Sequence, residues 1–254
     1  MRQLPYFSPD GIHVFAHRGL CLGDTQENTL AAFEAALAAG ATHIETDVQA
    51  TSDGVSVLFH DDDLERIAGV KCDIAELTLE DLRRLNAATA QIPTLEEALA
   101  ALPGARFNID IKRANAITPT VQAIIAHGAA DRVLVSSFSE ARRKTALNEL
   151  AAAGLRVATS AGMTKILGLY ICVRLGWLGG FKALSRGVDA LQIPYDQRGL
   201  NLTHPRLLNF ASKCGVRIHY WVVNDAAKMH ELVKLGASGI VTDRADVAIG
   251  ELRH

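Results

Sequence analysis

Eight short runs rich in β-branched and aromatic residues alternate with Ala- and Leu-rich stretches along this chain, and that alternation constrains its fold more than any other feature. The runs are 13–18 (HVFAHR), 43–48 (HIETDV), 106–112 (RFNIDIK), 132–138 (RVLVSSF), 156–161 (RVATSA), 190–195 (ALQIPY), 217–223 (RIHYWVV) and 239–243 (GIVTD). Between them, 28–39, 94–101, 139–153 and 225–235 carry helical periodicity, three of them stopping at Gly40, Gly154 and Gly236. Alternation of this kind argues for parallel strands joined by crossover helices. Eight such units in 254 residues favour closure into a (β/α)8 TIM barrel over an open sheet, with 1–254 as a single domain. TSDG at 51–54 is a turn signal and VSVLFH alternates back after it, which predicts a short hairpin excursion after the second strand. Asp53 and Gly54 are the turn itself.

Polar residues inside the strands are the next constraint. A barrel interior is filled by branched apolar side chains, so burying Glu45, Asp47, Asp110 and Lys112 would cost several kcal/mol for each unpaired charge. Glu45 and Asp47 are two residues apart, as are Asp110 and Lys112, so each pair projects from one face of its strand. All four come late in their strands, and barrel strands keep their active sites at the C-terminal mouth.

Charge narrows the partner. A formal net charge of -2 offers no footprint for nucleic acid or an anionic bilayer, and the substrate is expected to be small. Cys21, Cys72, Cys172 and Cys214 are far apart and form no C-x-x-C pair, so they are expected to be reduced thiols. The N-terminal MRQLPYFSPDG lacks a signal-peptide apolar run, and a cytoplasmic home is the expectation.

Three carboxylates at one mouth repel one another. A divalent ion with oxygen ligands, Mg²⁺ or Ca²⁺, would neutralise two charges, and Arg18 with Lys112 adds two more positives. The surplus suits a singly negative phosphodiester, whose non-bridging oxygens the cations could hold. His17 and His60 are the candidate base and acid, because an imidazole pKa near ~6.5 suits proton transfer at neutral pH. Glu27 is placed to hold one imidazole in a fixed tautomer, with Asn28 beside it.

These residues carry a resemblance. HRG at 17–19, ENT at 27–29, E-x-D at 45–47, DG at 53–54, HD at 60–61, D-x-K at 110–112, SSF at 136–138, WVVN at 221–224 and TD at 242–243 resemble, in order and spacing, the glycerophosphodiester phosphodiesterase family. The match spans about residues 13–246. The resemblance implies a TIM barrel, one divalent cation, and hydrolysis of glycerophosphodiesters to sn-glycerol 3-phosphate and an alcohol. It puts Glu45, Asp47 and Asp110 on the metal, His17 and His60 in acid/base catalysis, and Arg18 and Lys112 on the phosphate; Glu27 and Asn28 are expected to support them. In the mechanism so implied, one histidine deprotonates the glycerol 2-hydroxyl for attack on phosphorus while the other protonates the leaving alcohol, and water then opens the cyclic phosphate.

Two positions depart from the family pattern. The third carboxylate is Asp110 where the family usually has Glu, and an Asp there is also similar to sphingomyelinase D-type phospholipases. Gln26 stands where Pro commonly precedes the Glu-Asn pair, which bears on loop stiffness. Two further readings therefore stand beside the first: a lysophospholipase D or sphingomyelinase D-like phospholipase, and a barrel that binds phosphodiesters without turning them over.

Several residues keep two readings. Trp221 is either barrel core or a substrate-binding wall of the mouth, and Ser137 is either functional or satisfied by backbone. His13, His43, His127, His204, His219, His230 and His254 lack motif context and are expected to be surface or satisfied polar residues. The run 166–184 (ILGLYICVRLGWLGGFKAL) approaches membrane-spanning length, yet Arg174 interrupts it and Gly176, Gly179 and Gly180 break it. It is expected to be a barrel helix or an apolar lip in which Leu169, Trp177, Leu178 and Phe181 accept an acyl chain, making weak membrane-surface contact but no transmembrane segment. Such a lip would admit lysophospholipids beside water-soluble glycerophosphodiesters.

Overall fold

The computed structural model describes residues 4–197 and 200–252, so His254 lies outside the described residues. Among the described residues nine strands form: β1 (His13–His17), β2 (His43–Ala50), β3 (Ser56–Leu58), β4 (Phe107–Ile111), β5 (Val133–Ser136), β6 (Ala158–Thr159), β7 (Ala190–Pro194), β8 (Arg217–Trp221) and β9 (Gly239–Thr242). Eight of them lie side by side in the order β6-β5-β4-β2-β1-β9-β8-β7, each neighbouring pair parallel. The ends meet through a bridge between Ser160 and Ala190, flanked by hydrogen bonds from Ala161 N–H to Ala190 O (3.1 Å) and from Asp189 N–H to Thr159 O (2.9 Å). The expected barrel therefore closes, with β6 the shortest stave.

Helix starts follow their capping residues. The side chains of Thr29, Ser139 and Asp225 accept from Ala32, Arg142 and Lys228 N–H at the heads of helices Leu30–Ala38, Glu140–Ala152 and Ala226–Leu235. Thr94 and Glu97 form a reciprocal capping box at Leu95–Ala101. Outside the barrel, apolar helix faces close over the strands, as where Phe33 meets Phe107 edge-on.

The excursion after β2 is larger than a hairpin. β3 pairs antiparallel with β2, and 57–92 then builds its own small core from Val57, Phe59, Leu64, Ile74, Leu82 and Ile92. Its turn is as expected: Gly54 has φ +80°, and Asp53 Oδ1 accepts from Leu79 N–H.

Strict two-residue alternation layers the barrel interior. The register pairs Phe15 with His43, His17 with Glu45, Glu45 with Asn108, and Asp110 with Ser136, so one inward face runs from an aromatic floor to a polar mouth. The floor departs from the branched apolar filling expected. Phe15 stacks on His43 and meets His219 at a tilt, each ring 4.6 Å away, and Tyr6 and Phe7 pack against the same floor. His43 is satisfied by Thr42 Oγ1 and Tyr6 O, whereas His13 has Pro9 O at Nε2 and, among the described residues, no partner at Nδ1. His219 corrects the expectation for the remaining histidines, because it is fully buried and neither ring nitrogen has a partner among the described residues.

Candidate active site

β1 delivers His17 to the mouth, and the chain then turns sharply. Arg18 sits at φ +57° and Gly19 at φ +91°, and a Cβ on Gly19 would fall 2.6 Å from Ala32 Cβ, so only glycine lets this turn lie against the first barrel helix. Arg18 N–H donates to Glu45 O at 2.9 Å, and Arg18 O accepts from Asn28 N–H at 2.9 Å. Asn28, itself at φ +55°, donates from Nδ2 to Asp47 Oδ2 (3.2 Å) and accepts from Thr46 Oγ1 (2.8 Å). Both ends of the loop between β1 and the first barrel helix are thereby tied to β2 where its carboxylates emerge.

Both imidazoles are anchored by carboxylates. His17 Nδ1 lies 2.7 Å from Asp243 Oδ1, and the other oxygen of Asp243 accepts from Asn224 Nδ2 at 2.7 Å. His60 Nδ1 lies 2.8 Å from Asp61 Oδ1. With Nδ1–H donated to a carboxylate, Nε2 is the nitrogen left for proton transfer. Burial opposes a charge on His17, but the Asp243 hydrogen bond and the Glu45 carboxylate outweigh it and raise its pKa. Glu27 does not hold an imidazole, correcting the sequence expectation. It pairs with two guanidiniums, Arg18 Nη1 at 3.0 Å and Arg66 Nη2 at 2.6 Å, because its loop faces Arg18 and not either ring.

Glu45, Asp47 and Asp110 all line one cavity and are 8%, 2% and 6% exposed, too buried for solvent to settle their charge. Lys112 Nζ sits between Asp47 Oδ1 (2.7 Å) and Asp110 Oδ2 (2.8 Å), while Arg18 Nε approaches Asp47 Oδ2 at 3.3 Å. Burial works against the charge on Asp47, yet Lys112 and Arg18 hold its pKa below the usual range. Burial lifts Asp110 despite Lys112. Glu45 has neither cation in contact, and burial together with Asp47 pushes its pKa up to about 7.

The cavity has a volume of about 410 Å³ and includes His17, Arg18, His60 and Lys112 as well. Trp221 belongs to its wall, meeting Phe138 edge-on at 6.1 Å, and Lys112 lies 5.7 Å from the Phe138 ring. Ser137 is satisfied by Ile111 O at 2.7 Å and receives Arg142 Nε at 3.0 Å. Asp243, Asp61, Asn224, Arg66 and Phe138 were not assigned roles from sequence. Signals for all but Arg66 were present as TD, HD, WVVN and SSF, but their partners are set by folding. The lip needs correction too: Leu169 and Phe181 are fully buried in the core, and the apolar residues of this region that line the mouth are Met163 and Ile166.

A model of the "Glycerophosphoryl diester phosphodiesterase family" matches residues 17–247. The chain belongs to this family. It is 40% identical over 233 residues to "Probable glycerophosphodiester phosphodiesterase 2" of Mycobacterium tuberculosis, covering 91% of this chain and 87% of the relative. A "Glycerophosphodiester phosphodiesterase" of Caldanaerobacter subterraneus subsp. tengcongensis is 31% identical over 256 residues, 94% of this chain and 97% of that one. Among solved structures, a glycerophosphodiester phosphodiesterase from Thermotoga maritima superposes with a TM-score of 0.72 at 25% identity, covering 94% of this chain and 97% of that chain.

For this glycerophosphoryl diester phosphodiesterase family member, the donors bear on a metal as follows. Glu45, Asp47 and Asp110 supply only hard oxygens, the ligand type of Mg²⁺ and Ca²⁺. Among the described residues no three His, Cys, Asp or Glu side chains form a ready cage, because Lys112 lies between Asp47 and Asp110. Glu45 remains a buried carboxylate without a full cationic partner, its nearest being His17 Nε2 at 3.9 Å. The donor chemistry thus suits a hard dication, with Glu45 the carboxylate that, among the described residues, no guanidinium or ammonium already answers. Among the described residues no helix is long and apolar enough to cross a membrane.

Proposed function

We propose that this chain is a metal-dependent glycerophosphodiester phosphodiesterase releasing sn-glycerol 3-phosphate and an alcohol. The observation that carries this is the pair of carboxylate-anchored imidazoles, His17 on Asp243 and His60 on Asp61, at one mouth with Arg18 and Lys112. The names of the two curated relatives support the same reaction.

Charge explains the ion. Glu45, Asp47 and Asp110 bring three negatives against Arg18 and Lys112, so a phosphodiester anion approaches a mouth that is still negative. A dication held by Glu45, Asp47 and Asp110 would reverse that sign and polarise the phosphate oxygens. Arg18 and Lys112 bind the non-bridging oxygens and stabilise the charge that develops on them. One imidazole Nε2 takes the proton of the glycerol 2-hydroxyl as its oxygen attacks phosphorus, and the other gives its proton to the departing alkoxide. In the second half, water attacks the cyclic phosphate with the two proton transfers exchanged. Trp221 and Phe138 wall the substrate away from bulk water.

A lysophospholipase D reading has one observation in its favour, the apolar Met163, Ile166, Leu200 and Leu202 on the same cavity. Turnover of glycerophosphocholine, glycerophosphoethanolamine and lysophosphatidylcholine, chelated and with Mg²⁺ or Ca²⁺ restored, separates the readings. Phosphorus NMR of the products distinguishes sn-glycerol 3-phosphate from a retained cyclic phosphate. The expected result is activity lost on chelation, regained with metal, and greater on the glycerophosphodiesters. Full activity after chelation would remove the metal from the mechanism.

A further inference from the structure

The helix Met163–Arg174 is amphipathic in the wrong sense for a barrel helix that is covered on one side and wet on the other. Its inward face is apolar, with Leu169, Tyr170, Cys172 and Val173 buried. Its outward face is apolar as well. Leu167, Ile171 and Leu175 follow one another at four-residue spacing and are 52%, 48% and 72% exposed, continuing from Met163 at 58%. Trp177, just past the helix end, is 61% exposed. Holding so large an indole and four aliphatic side chains in water is costly unless something covers them.

The helix lies along the rim of the mouth. Its N-terminal Met163 and Ile166 line the catalytic cavity, and at its other end Val173 O accepts from Arg206 Nη1 at 3.2 Å while Tyr170 Oη accepts from Asn201 N–H at 3.3 Å. A separate cavity of about 310 Å³ at that end is walled in part by Arg174, His204 and Arg206. The segment's own charge is of one sign. Residues 163–186 contain Lys165, Arg174, Lys182 and Arg186 and no Asp or Glu. Lys165 leans on Glu140 at 3.8 Å, whereas among the described residues Arg174, Lys182 and Arg186 form no ion pair with a carboxylate.

We propose that this rim is a membrane-docking surface that seats the exposed row from Leu167 to Trp177 in the interface of an anionic lipid bilayer, with the mouth held against it. An aliphatic row, an interfacial tryptophan and a fringe of cations form the combination that binds such surfaces. A second copy of the chain fits less well. Two apposed rims would bring together two sets of like charges with no acidic residue in 163–186 to answer them. The proposal does not depend on the reaction proposed for the mouth.

The test is co-sedimentation of the full chain with vesicles of phosphatidylcholine alone or mixed with phosphatidylglycerol. Binding is expected only to the anionic vesicles, weakening as salt rises. It should be accompanied by a blue shift of tryptophan emission that is absent from Trp177→Phe. Leu167→Ser with Ile171→Ser should lower vesicle binding about tenfold or more. Arg174→Gln with Lys182→Gln should lower it roughly 25-fold, about fivefold for each charge. Both double variants should keep the parent melting temperature and the parent rate on a water-soluble phosphodiester, since none of these residues lines the catalytic cavity. Binding equal on both vesicle types, or unchanged in both double variants, would overturn the proposal. So would a concentration-dependent dimer abolished by Leu167→Ser with Ile171→Ser, which would make the rim a contact between copies.

Discussion

At the scale of single residues, the site depends on carboxylates that act through other groups. Asp243 touches no substrate atom in the proposed mechanism, but its two oxygens join His17 Nδ1 to Asn224 Nδ2, each at 2.7 Å. Asp243→Asn keeps the shape and removes the anionic acceptor, so the His17 ring loses its orientation and tautomer. The expected outcome is a kcat lower by roughly 10–100-fold with KM little changed, at an unaltered melting temperature. A parallel loss in KM, or a large drop in stability, would make Asp243 a binding or structural residue. Glu45, Asp47, Asp110 and Lys112 were legible in the sequence because each pair two apart in one strand shares a face, and His17 and His60 because they stand in the HRG and HD motifs. Asp243 was not, since 226 residues separate it from His17 and only barrel closure beside β1 makes them partners. Glu27 misled for the same reason: proximity in sequence to His17 suggested an imidazole, whereas folding brings Arg66, 39 residues away, to its carboxylate.

At the scale of elements, the strands and caps could be anticipated because their causes are local. Thr94 with Glu97, and Ser139 and Asp225 at helix heads, satisfy the first free N–H groups, and the sequence positions alone announce them. Contact between elements is less visible. The turn after β1 works only because Gly19 has no side chain where the first barrel helix passes, its would-be Cβ lying 2.6 Å from Ala32 Cβ and 2.8 Å from Ala32 C. Gly19→Ala adds both this clash and a strained φ of +91°, and should cost roughly 2–4 kcal/mol. Differential scanning calorimetry should show a melting temperature lower by about 4–16 °C. A change below one degree would mean that the turn has room to move. The 166–184 run shows the complementary limit. Its hydrophobicity was evident, but whether a given apolar residue faces the core or the solvent depends on which neighbours the chain brings. Leu169 and Phe181 are fully buried, while Leu167 and Ile171 are not.

At the scale of the whole molecule, totals conceal local arrangement. The net charge of -2 excluded a bilayer footprint on average, yet 163–186 collects four cations and no acid on one rim. Likewise, nine histidines spread through the sequence gave no sign that three would gather under the barrel. His219 is fully buried beside Phe15, with His13, His43 and Arg217 adding to the burial that lowers its pKa far below the ordinary value. The sign of the resulting pH dependence is fixed by linkage. In the unfolded chain this imidazole takes up a proton below about pH 6.5, while in the folded barrel it stays neutral, so acid favours unfolding. The stability present above that pH is lost progressively as pH falls from about 6.5 toward the depressed folded pKa. For one such group the loss between about pH 7.5 and 5.5 amounts to roughly 1.4 kcal/mol. His219→Phe removes this proton site and two ring nitrogens that lack partners among the described residues, replacing them with a ring that packs against Phe15. Phenylalanine is slightly larger, so the absolute stability at neutral pH can shift in either direction with the fit near Gly239, whose would-be Cβ lies 2.9 Å from His219 Cδ2. The pH slope is free of that offset. The melting-temperature difference, variant minus parent, should grow by about 3–5 °C as pH falls from about 7.5 to 5.5. A difference that stays constant across that range would show that His219 carries no linked proton.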